Sequence, residues 1–255
     1  MNFSILNWNI QGNKYYTHTH FRDIAPKLAQ ASEDIICIQE ACEFKLQVSE
    51  LVHVHAWDRK VSTQGKSDNV ILSRFPIIAG GSLTLPDTQP DGNDCVAWAD
   101  IAIREETVRI YNCHFEIIGV GPAGRIRRLR HILNAAAHHR GPAVICGDLN
   151  TTIPTAGVNR KIVQWFHKEP EESLVVDGRY RKEDERYYFA KVAEQAGFHE
   201  AAGISKATWC IAPLKWELFS LKLDWCLVRG MEIVKTALHQ YVSDHRAIAV
   251  ECAIH

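Results

Sequence analysis

Seven polar residues of this chain stand at the end of, beside, or just inside apolar runs: Asn9, Glu40, Asp148, Asn150, Asp224, Asp244 and His245. The stretch Cys146 to Asn150 (CGDLN) shows the pattern most clearly. Ala143-Val144-Ile145-Cys146 reads as a buried strand, and Gly147-Asp148 as its abrupt end. A strand that stops on Asp and Asn puts an acceptor and a donor at the rim of a sheet, where rigid scaffolds carry chemistry. NWNIQG at 7–12, IQE at 38–40 and SDH at 243–245 extend the pattern to both ends of the chain. A single Asp at a strand end is more often a turn or cap residue; seven such positions are harder to explain that way. Carboxylates and carboxamides with few thiols or imidazoles select a hard cation, Mg²⁺ or Mn²⁺, over zinc.

Such a set suits hydrolysis of a phosphate ester. Glu40 and Asp244 can hold a metal that neutralises charge on the phosphate and leaving oxygen. Asp148 can orient or deprotonate the attacking water, and Asn150 can donate to a phosphoryl oxygen. His245 can donate to the phosphate or leaving group, with Asp224 placed in sequence to be its carboxylate partner.

The elements that must position these groups follow from periodicity. Strands are expected over 3–10, 34–39, 69–73, 95–103, 108–115, 143–146, 223–228, 232–238 and 246–252. Helices are expected from Phe21 to Leu28 (with Pro26 a blemish), over 44–52, from Arg125 to His139, and over 159–168 and 186–196. The last is stopped by Gly197 at a C′ position. Residues 77–94 read as a Gly/Pro/Asp-rich connection, Gly121 to Gly124 as a loop, and SLVVDGRYRKEDER as a solvated excursion. The arginines at 125, 127, 128 and 130 read as a solvated helix face. Strands joined by hairpins in places and helices in others suit two mixed sheets packed face to face with helices outside. No G-x-G-x-x-G or G-x-x-x-x-G-K-[ST] follows a strand, which disfavours a doubly wound nucleotide-binding sheet. No linker-like composition shift or repeat interrupts residues 1–255, so one domain is expected.

Composition sets the outer bounds. The 255 residues are 46% hydrophobic, enough for a sizeable core, and 29 basic residues balance 30 acidic ones. No whole-chain positive field therefore argues for gripping long polyanions. No secretory signal or run of 18 apolar residues is evident, so no membrane span is expected. The eight cysteines form no C-x-x-C pair and read as buried thiols of a reducing cytoplasm.

In order along the chain, NWNIQG, IQE, NVILSRFPI, CHFE, GDLN, LDWCLV and SDHRAI resemble the motifs of the endonuclease/exonuclease/phosphatase superfamily of metal-dependent phosphoesterases. The resemblance touches residues 7 to 250. It implies a four-layer α/β/β/α sandwich, one or two Mg²⁺ (or Mn²⁺) ions, and in-line attack by water on a phosphodiester or phosphomonoester. It makes Glu40 the chief metal ligand, with Asn9 near the metal and Asp244 a second metal or water contact. Asp148 becomes the water-activating Asp and Asn150 the phosphate-contacting Asn. His245 becomes the phosphate-binding histidine, oriented by Asp224. His114 matches the histidine of the pancreatic-deoxyribonuclease-like, sphingomyelinase-like and inositol-phosphatase-like branches, and Asn69 a polar residue near the scissile phosphate. The chain departs from the pattern at Gln11, where apurinic endonucleases carry a metal-proximal Asp, and at Cys113 and Glu116, where Thr and Asp are commoner.

The loop from Ser205 to Leu221 holds Trp209, Trp216 and Phe219 among Lys206, Lys215 and Lys222. Basic residues interleaved with aromatics suit stacking on nucleic acid bases, or the aromatics pack beneath the loop. A nuclease acting as a cytoplasmic monomer is the first expectation. A phosphoesterase on a small nucleotide, sugar phosphate or phospholipid head group is the second, and a non-catalytic binding protein the last.

Overall fold

The computed structural model describes residues 1–10, 24, 26–41, 59–62, 69–86, 95–115, 120–151, 175–176, 179–180, 185–210, 220–241 and 243–255. In chain order the strands are β1 (Asn2–Asn9), β2 (Ile35–Gln39), β3 (Arg59–Ser62), β4 (Val70–Ser73), β5 (Ile77–Thr84), β6 (Cys95–Ile103), β7 (Glu106–His114), β8 (Ala143–Asp148), β9 (Val175–Val176), β10 (Arg179–Tyr180), β11 (His199–Glu200), β12 (Trp209–Cys210), β13 (Ser220–Leu221), β14 (Asp224–Arg229), β15 (Glu232–Gln240) and β16 (Arg246–Ala253). Helices α1 (Gly121–Ala137) and α2 (Glu185–Gln195) lie between β7 and β8 and before β11. One six-stranded sheet runs β15-β16-β1-β2-β4-β3 and the other β11-β14-β8-β7-β6-β5.

Two-residue alternation sorts each central strand onto two faces. Phe3 and Ile5, Ile35 and Cys37, Val108 and Ile110, Val144 and Cys146 form one buried cluster between the sheets. The opposite face of the first sheet (Leu6, Trp8, Ile36, Ile38) packs on Ile24, Leu28 and Ala31, where residues 24 and 26–29 are helical. The opposite face of the second (Tyr111, Cys113, Ile145, Trp225) packs under Ile126, Leu129 and Ile132 of α1 and Phe189 and Val192 of α2. The architecture is the expected α/β/β/α sandwich. No helix among the described residues is long and apolar enough to cross a membrane.

Several expectations are corrected. Residues 77–94 are not wholly a connection, because β5 occupies 77–84 as the edge strand of the second sheet. Gly81 fits there because a Cβ would come within 3.2 Å of the Trp98 indole. Helix α1 begins at Gly121, four residues early, since Pro122 in the first turn has no N–H to leave unsatisfied. Two arginines of the supposed solvated face are buried. Arg125 forks onto Glu185 at 2.8 and 3.1 Å, tying α1 to α2, and Arg128 is equally enclosed. The charged excursion contains the two-stranded pair β9–β10. Pro26 lies within its helical segment, its carbonyl accepting from Gln30 N. Gly197 does cap α2: at φ +79° it lets Phe198 N reach the Ala193 carbonyl. The helices expected over 44–52 and 159–168, and Gln11, Glu116, Lys215, Trp216 and Phe219, lie outside the described residues.

Candidate active site

The inward-facing series of the central strands change character at one end. Phe3 and Ile5 lead to Asn7 and Asn9, Ile35 and Cys37 to Gln39, and Val108 and Ile110 to Asn112 and His114. Val144 and Cys146 lead to Asp148, and in the antiparallel β14, Val228 and Cys226 lead to Asp224. Strand register then aligns the polar ends: His114 pairs with Asp148 across β7 and β8, and Asp224 with Asp148 across β14 and β8. Gly147 makes this alignment possible. Its φ is +138°, and a Cβ would fall 1.9 Å from the Cys113 carbonyl oxygen. Two non-glycine residues at the rim also take positive φ, Glu40 at 56° and Asn150 at 48°. Such backbone persists where surrounding structure over-determines it, and it clusters at functional sites.

Hydrogen bonds join the two sheets across this end. Asn9 Nδ2 donates to Glu40 Oε1 at 3.1 Å and to Asp148 Oδ2 at 2.9 Å. His114 Nε2 stands 3.7 Å from both of those carboxylate oxygens. His245 Nε2 stands 3.8 Å from Asp148 Oδ2 and 3.9 Å from Asp244 Oδ1, while its Nδ1 is 2.9 Å from Asp224 Oδ2. Asp148 Oδ1 accepts from Asn150 N at 3.0 Å, and Asn150 Nδ2 donates to the Phe115 carbonyl at 2.6 Å. Past β8 the chain does not stay extended: Asn150, at φ 48°, folds its N–H back onto the Asp148 carboxylate. Asn69 is buried directly ahead of β4. It stands one step beyond the Ile38–Val70 pair, so its position places it at this end of the sheet.

Burial and charge tune the groups. Burial pushes the Asp148 carboxyl up to about 6, and nearby Asp224 adds to this; His245, His114 and the Asn9 amide oppose it. Burial likewise raises Asp244, with Glu40 adding and His245 and the Trp209 indole opposing. For His245 burial acts downward, yet Asp224, Asp148 and Asp244 together push the imidazole up to about 10. An acceptor-rich pocket keeps that ring an imidazolium.

Among the described residues, Asp148, Asp224 and His245 bring their potential ligand atoms within 4.8 Å of one another. This trio does not fit a cation: Asp224 Oδ2 is committed to His245 Nδ1, and a charged imidazole repels a second positive charge. Glu40, Asp244 and Asn9 carry oxygen donors, the ligand type a hard cation prefers. Glu40 keeps 21% of its side chain exposed.

Three hydroxyl and indole groups complete the arrangement, and sequence reading missed their roles. Ser243 Oγ donates to the Asn9 carbonyl at 2.8 Å and accepts from His245 N at 3.1 Å. Thr208 Oγ1 accepts from Leu223 N and Asp224 N at 3.0 and 2.9 Å. Trp209 Nε1 donates to Asp244 Oδ2 at 2.8 Å, so this indole positions a carboxylate. Lys222, expected in an exposed basic loop, is buried. Its Nζ donates to Glu200 Oε1 at 2.8 Å and to the Asp224 carbonyl at 2.9 Å. The sequence cue was adjacency for Ser243, which directly precedes Asp244 and His245, whereas Trp209 meets His245 only through a β-bridge in the fold. The described cysteines 37, 113, 146, 226 and 252 are buried free thiols. Burial raises Cys113 and Cys226, and a hydrogen bond with Cys37 joins burial in raising Cys146.

Comparison with known proteins follows the same lines. No curated protein matches the chain significantly. Among solved structures it is similar to D. rerio TDP2 complexed with single strand DNA product, at a TM-score of 0.69 and 15% identity over 99% of both chains. It is similar to ANGEL2, a 2',3'-cyclic phosphatase, in complex with adenosine-2',3'-vanadate (TM-score 0.66, 13% identity, 98% of this chain and 95% of that one). A third is an endonuclease/exonuclease/phosphatase family protein from Leptotrichia buccalis C-1013-b (TM-score 0.67, 13% identity, 99% of this chain and 100% of that one). At these identities the likenesses speak for the fold. The profile of the Endonuclease/Exonuclease/phosphatase family matches residues 6–245, a span that includes every residue of the cluster. The chain therefore belongs to the endonuclease/exonuclease/phosphatase family, whose named activities are all hydrolyses of phosphate esters.

Proposed function

We propose that this protein hydrolyses a phosphodiester bond of a nucleic acid by in-line attack of water, in a Mg²⁺- or Mn²⁺-dependent reaction. The observation that carries the reading is convergence on one atom. Asp148 Oδ2 lies 2.9 Å from Asn9 Nδ2, 3.7 Å from His114 Nε2 and 3.8 Å from His245 Nε2. Both imidazole separations exceed hydrogen-bonding distance, so each Nε2 keeps its donor for a phosphoryl oxygen while Asp148 receives the proton of the attacking water. His245, held protonated by Asp224, donates to the phosphoryl or leaving oxygen. Asn150 retains one amide hydrogen for a phosphoryl oxygen, and Asn69 lies near the scissile phosphate. Glu40, Asp244 and Asn9 would hold the cation, which would supply neutralisation of charge on the phosphate and leaving oxygen.

The nucleic acid assignment draws support from two similar folds: D. rerio TDP2 is complexed with single strand DNA product and ANGEL2 with adenosine-2',3'-vanadate. A second reading, a small nucleotide as substrate, is favoured by the charge balance of 29 basic to 30 acidic residues and by burial of Lys222. The test compares bis-p-nitrophenyl phosphate, a single-stranded oligonucleotide and a 2',3'-cyclic nucleotide with Mg²⁺, Mn²⁺ or EDTA. Oligonucleotide turnover that needs the metal and weakens steeply with salt, through counterion release, supports the proposal. Turnover of the cyclic nucleotide alone, insensitive to salt, favours the second reading. Full activity in excess EDTA overturns the metal-dependent mechanism.

A further inference from the structure

Directly beneath the candidate site, the apolar layer between the sheets turns polar. Asn7, Gln39 and Asn112 are fully buried there. They face inward because they continue the series Phe3-Ile5, Ile35-Cys37 and Val108-Ile110 at two-residue spacing. Gln39 Nε2 donates to Asn7 Oδ1 at 2.7 Å and, across the layer, to Asn112 Oδ1 at 2.6 Å. Asn112 Nδ2 reaches back across the layer to the carbonyls of Ile38 and Val70 at 2.9 and 3.0 Å. Asn7 Nδ2 points the opposite way, to the Trp225 carbonyl at 3.4 Å.

Three buried carboxamides are expensive to desolvate, and aliphatic side chains could fill a core position without that cost. What hydrogen bonds add is direction and length. Two apolar faces can slide over one another with little change in buried area, whereas a connected polar network fixes a single arrangement. The network also sits where an offset matters most. Gln39 immediately precedes Glu40, Asn112 is two residues before His114, and Asn7 two before Asn9. The contacts of the site itself cross the same layer: Glu40 Oε1 to His114 Nε2 at 3.7 Å, and Asn9 Nδ2 to Asp148 Oδ2 at 2.9 Å.

We infer that Gln39 and Asn112 are positioning residues, a hydrogen-bonded pin that sets the offset between the two sheets and so holds Glu40 and Asn9 in reach of His114 and Asp148. The kinetic part of this inference rests on the proposed phosphodiesterase activity; the geometric part does not.

The test uses Gln39→Met, which keeps the length of the side chain but removes both donors, with Asn112→Leu and the double variant. Val108→Ala, at the far end of the same inter-sheet cluster, is the control for lost stability. With bis-p-nitrophenyl phosphate and Mg²⁺, each single variant is expected to lose roughly 100-fold in kcat, the scale of an ångström-sized misplacement, with KM changed less than about threefold. The double variant loses little more than either single one, because one pin is being removed twice. Val108→Ala, at an equal loss of Tm, keeps its kcat. If kcat follows Tm equally in all variants, or the two single losses multiply, the pin is refuted. If Gln39→Met or Asn112→Leu does not fold, Asn112→Ser carries the same readouts. If the wild-type protein hydrolyses no phosphate ester, the functional proposal fails by itself. The crystal structure of metal-free Gln39→Met then decides the pin: a His114–Glu40 separation well beyond the wild-type value supports it, and an unchanged site overturns it.

Discussion

Replacing Gly147 by Ala should damage both stability and catalysis, for reasons that can be separated. At φ +138° an L-residue pays conformational strain, roughly 1–3 kcal/mol. The new Cβ would also lie 1.9 Å from the Cys113 carbonyl oxygen, and contacts under 3.0 Å are not tolerated. Strands β7 and β8 must therefore part by about an ångström. Each ladder hydrogen bond weakened at that point costs on the order of 1 kcal/mol, so the total reaches about 4 kcal/mol. For a chain of this size that corresponds to a Tm loss on the order of 10 °C. His114 and Asp148 are the next residues on the two strands and remain register partners, so an ångström of separation should also cost roughly 100-fold in kcat. Gly197→Ala supplies the comparison: its φ is also positive, at +79°, but the nearest foreign atom to its Cβ is 3.7 Å away. It carries strain without collision and should lose only about 1 kcal/mol. Thermal unfolding and turnover of bis-p-nitrophenyl phosphate measure both effects. A Gly147→Ala protein with wild-type Tm and kcat, or one no worse than Gly197→Ala, refutes the close-approach reasoning.

Three further outcomes follow from the site. Glu40→Gln should keep the wild-type circular dichroism spectrum, lose activity by orders of magnitude, and bind Mg²⁺ more weakly by calorimetry; unchanged Mg²⁺ affinity would remove Glu40 from the metal site. His245→Ala and Asp224→Ala should show strongly non-additive losses in kcat/KM, since the 2.9 Å pair acts as a unit, whereas simple multiplication of the two losses would uncouple them. In the metal-free protein the folded-state pKa of His245, about 10, lies above its ordinary value. Its stabilising contribution is therefore complete below about pH 6.5 and lost as pH rises through 10. The urea midpoint should fall over that window in wild type and fall less in Asp224→Asn, and a flat wild-type profile would contradict the ion pair.

The sequence made the scaffold legible where a single period governs it. β1, β2, β8 and β16 are short apolar runs, and α1 carries its stripe of Ile126, Leu129, Ile132 and Leu133. The edge strand β5 was not readable, because Ile78-Ala79-Gly80-Gly81 is mostly solvent-exposed and its strand state comes from pairing with β6. Arg125 looked like any surface arginine until α2 brought Glu185 against it. The site residues at strand ends were visible as polar interruptions of apolar runs. The residues that hold them, Thr208, Ser243 and Trp209, act through hydroxyl and indole hydrogen bonds that carry no periodic signal. Gln39 and Asn112 were passed over for a related reason: the hydrogen bond that joins them runs between the two sheets, and no spacing along the chain reports it.

The central claim is that Asp148 acts on the attacking water, and kcat of Asp148→Asn tests it most directly. The substitution keeps the size of the side chain and an oxygen for Asn150 N, and replaces the charged Oδ2 by an amide that can neither take a proton nor accept from Asn9 Nδ2. Measured with Mg²⁺ on the substrate the wild type turns over fastest, it should lower kcat by on the order of a thousandfold while leaving KM within a few-fold. A variant that keeps its kcat and loses only KM would make Asp148 a binding residue, and the mechanism built on it would be wrong.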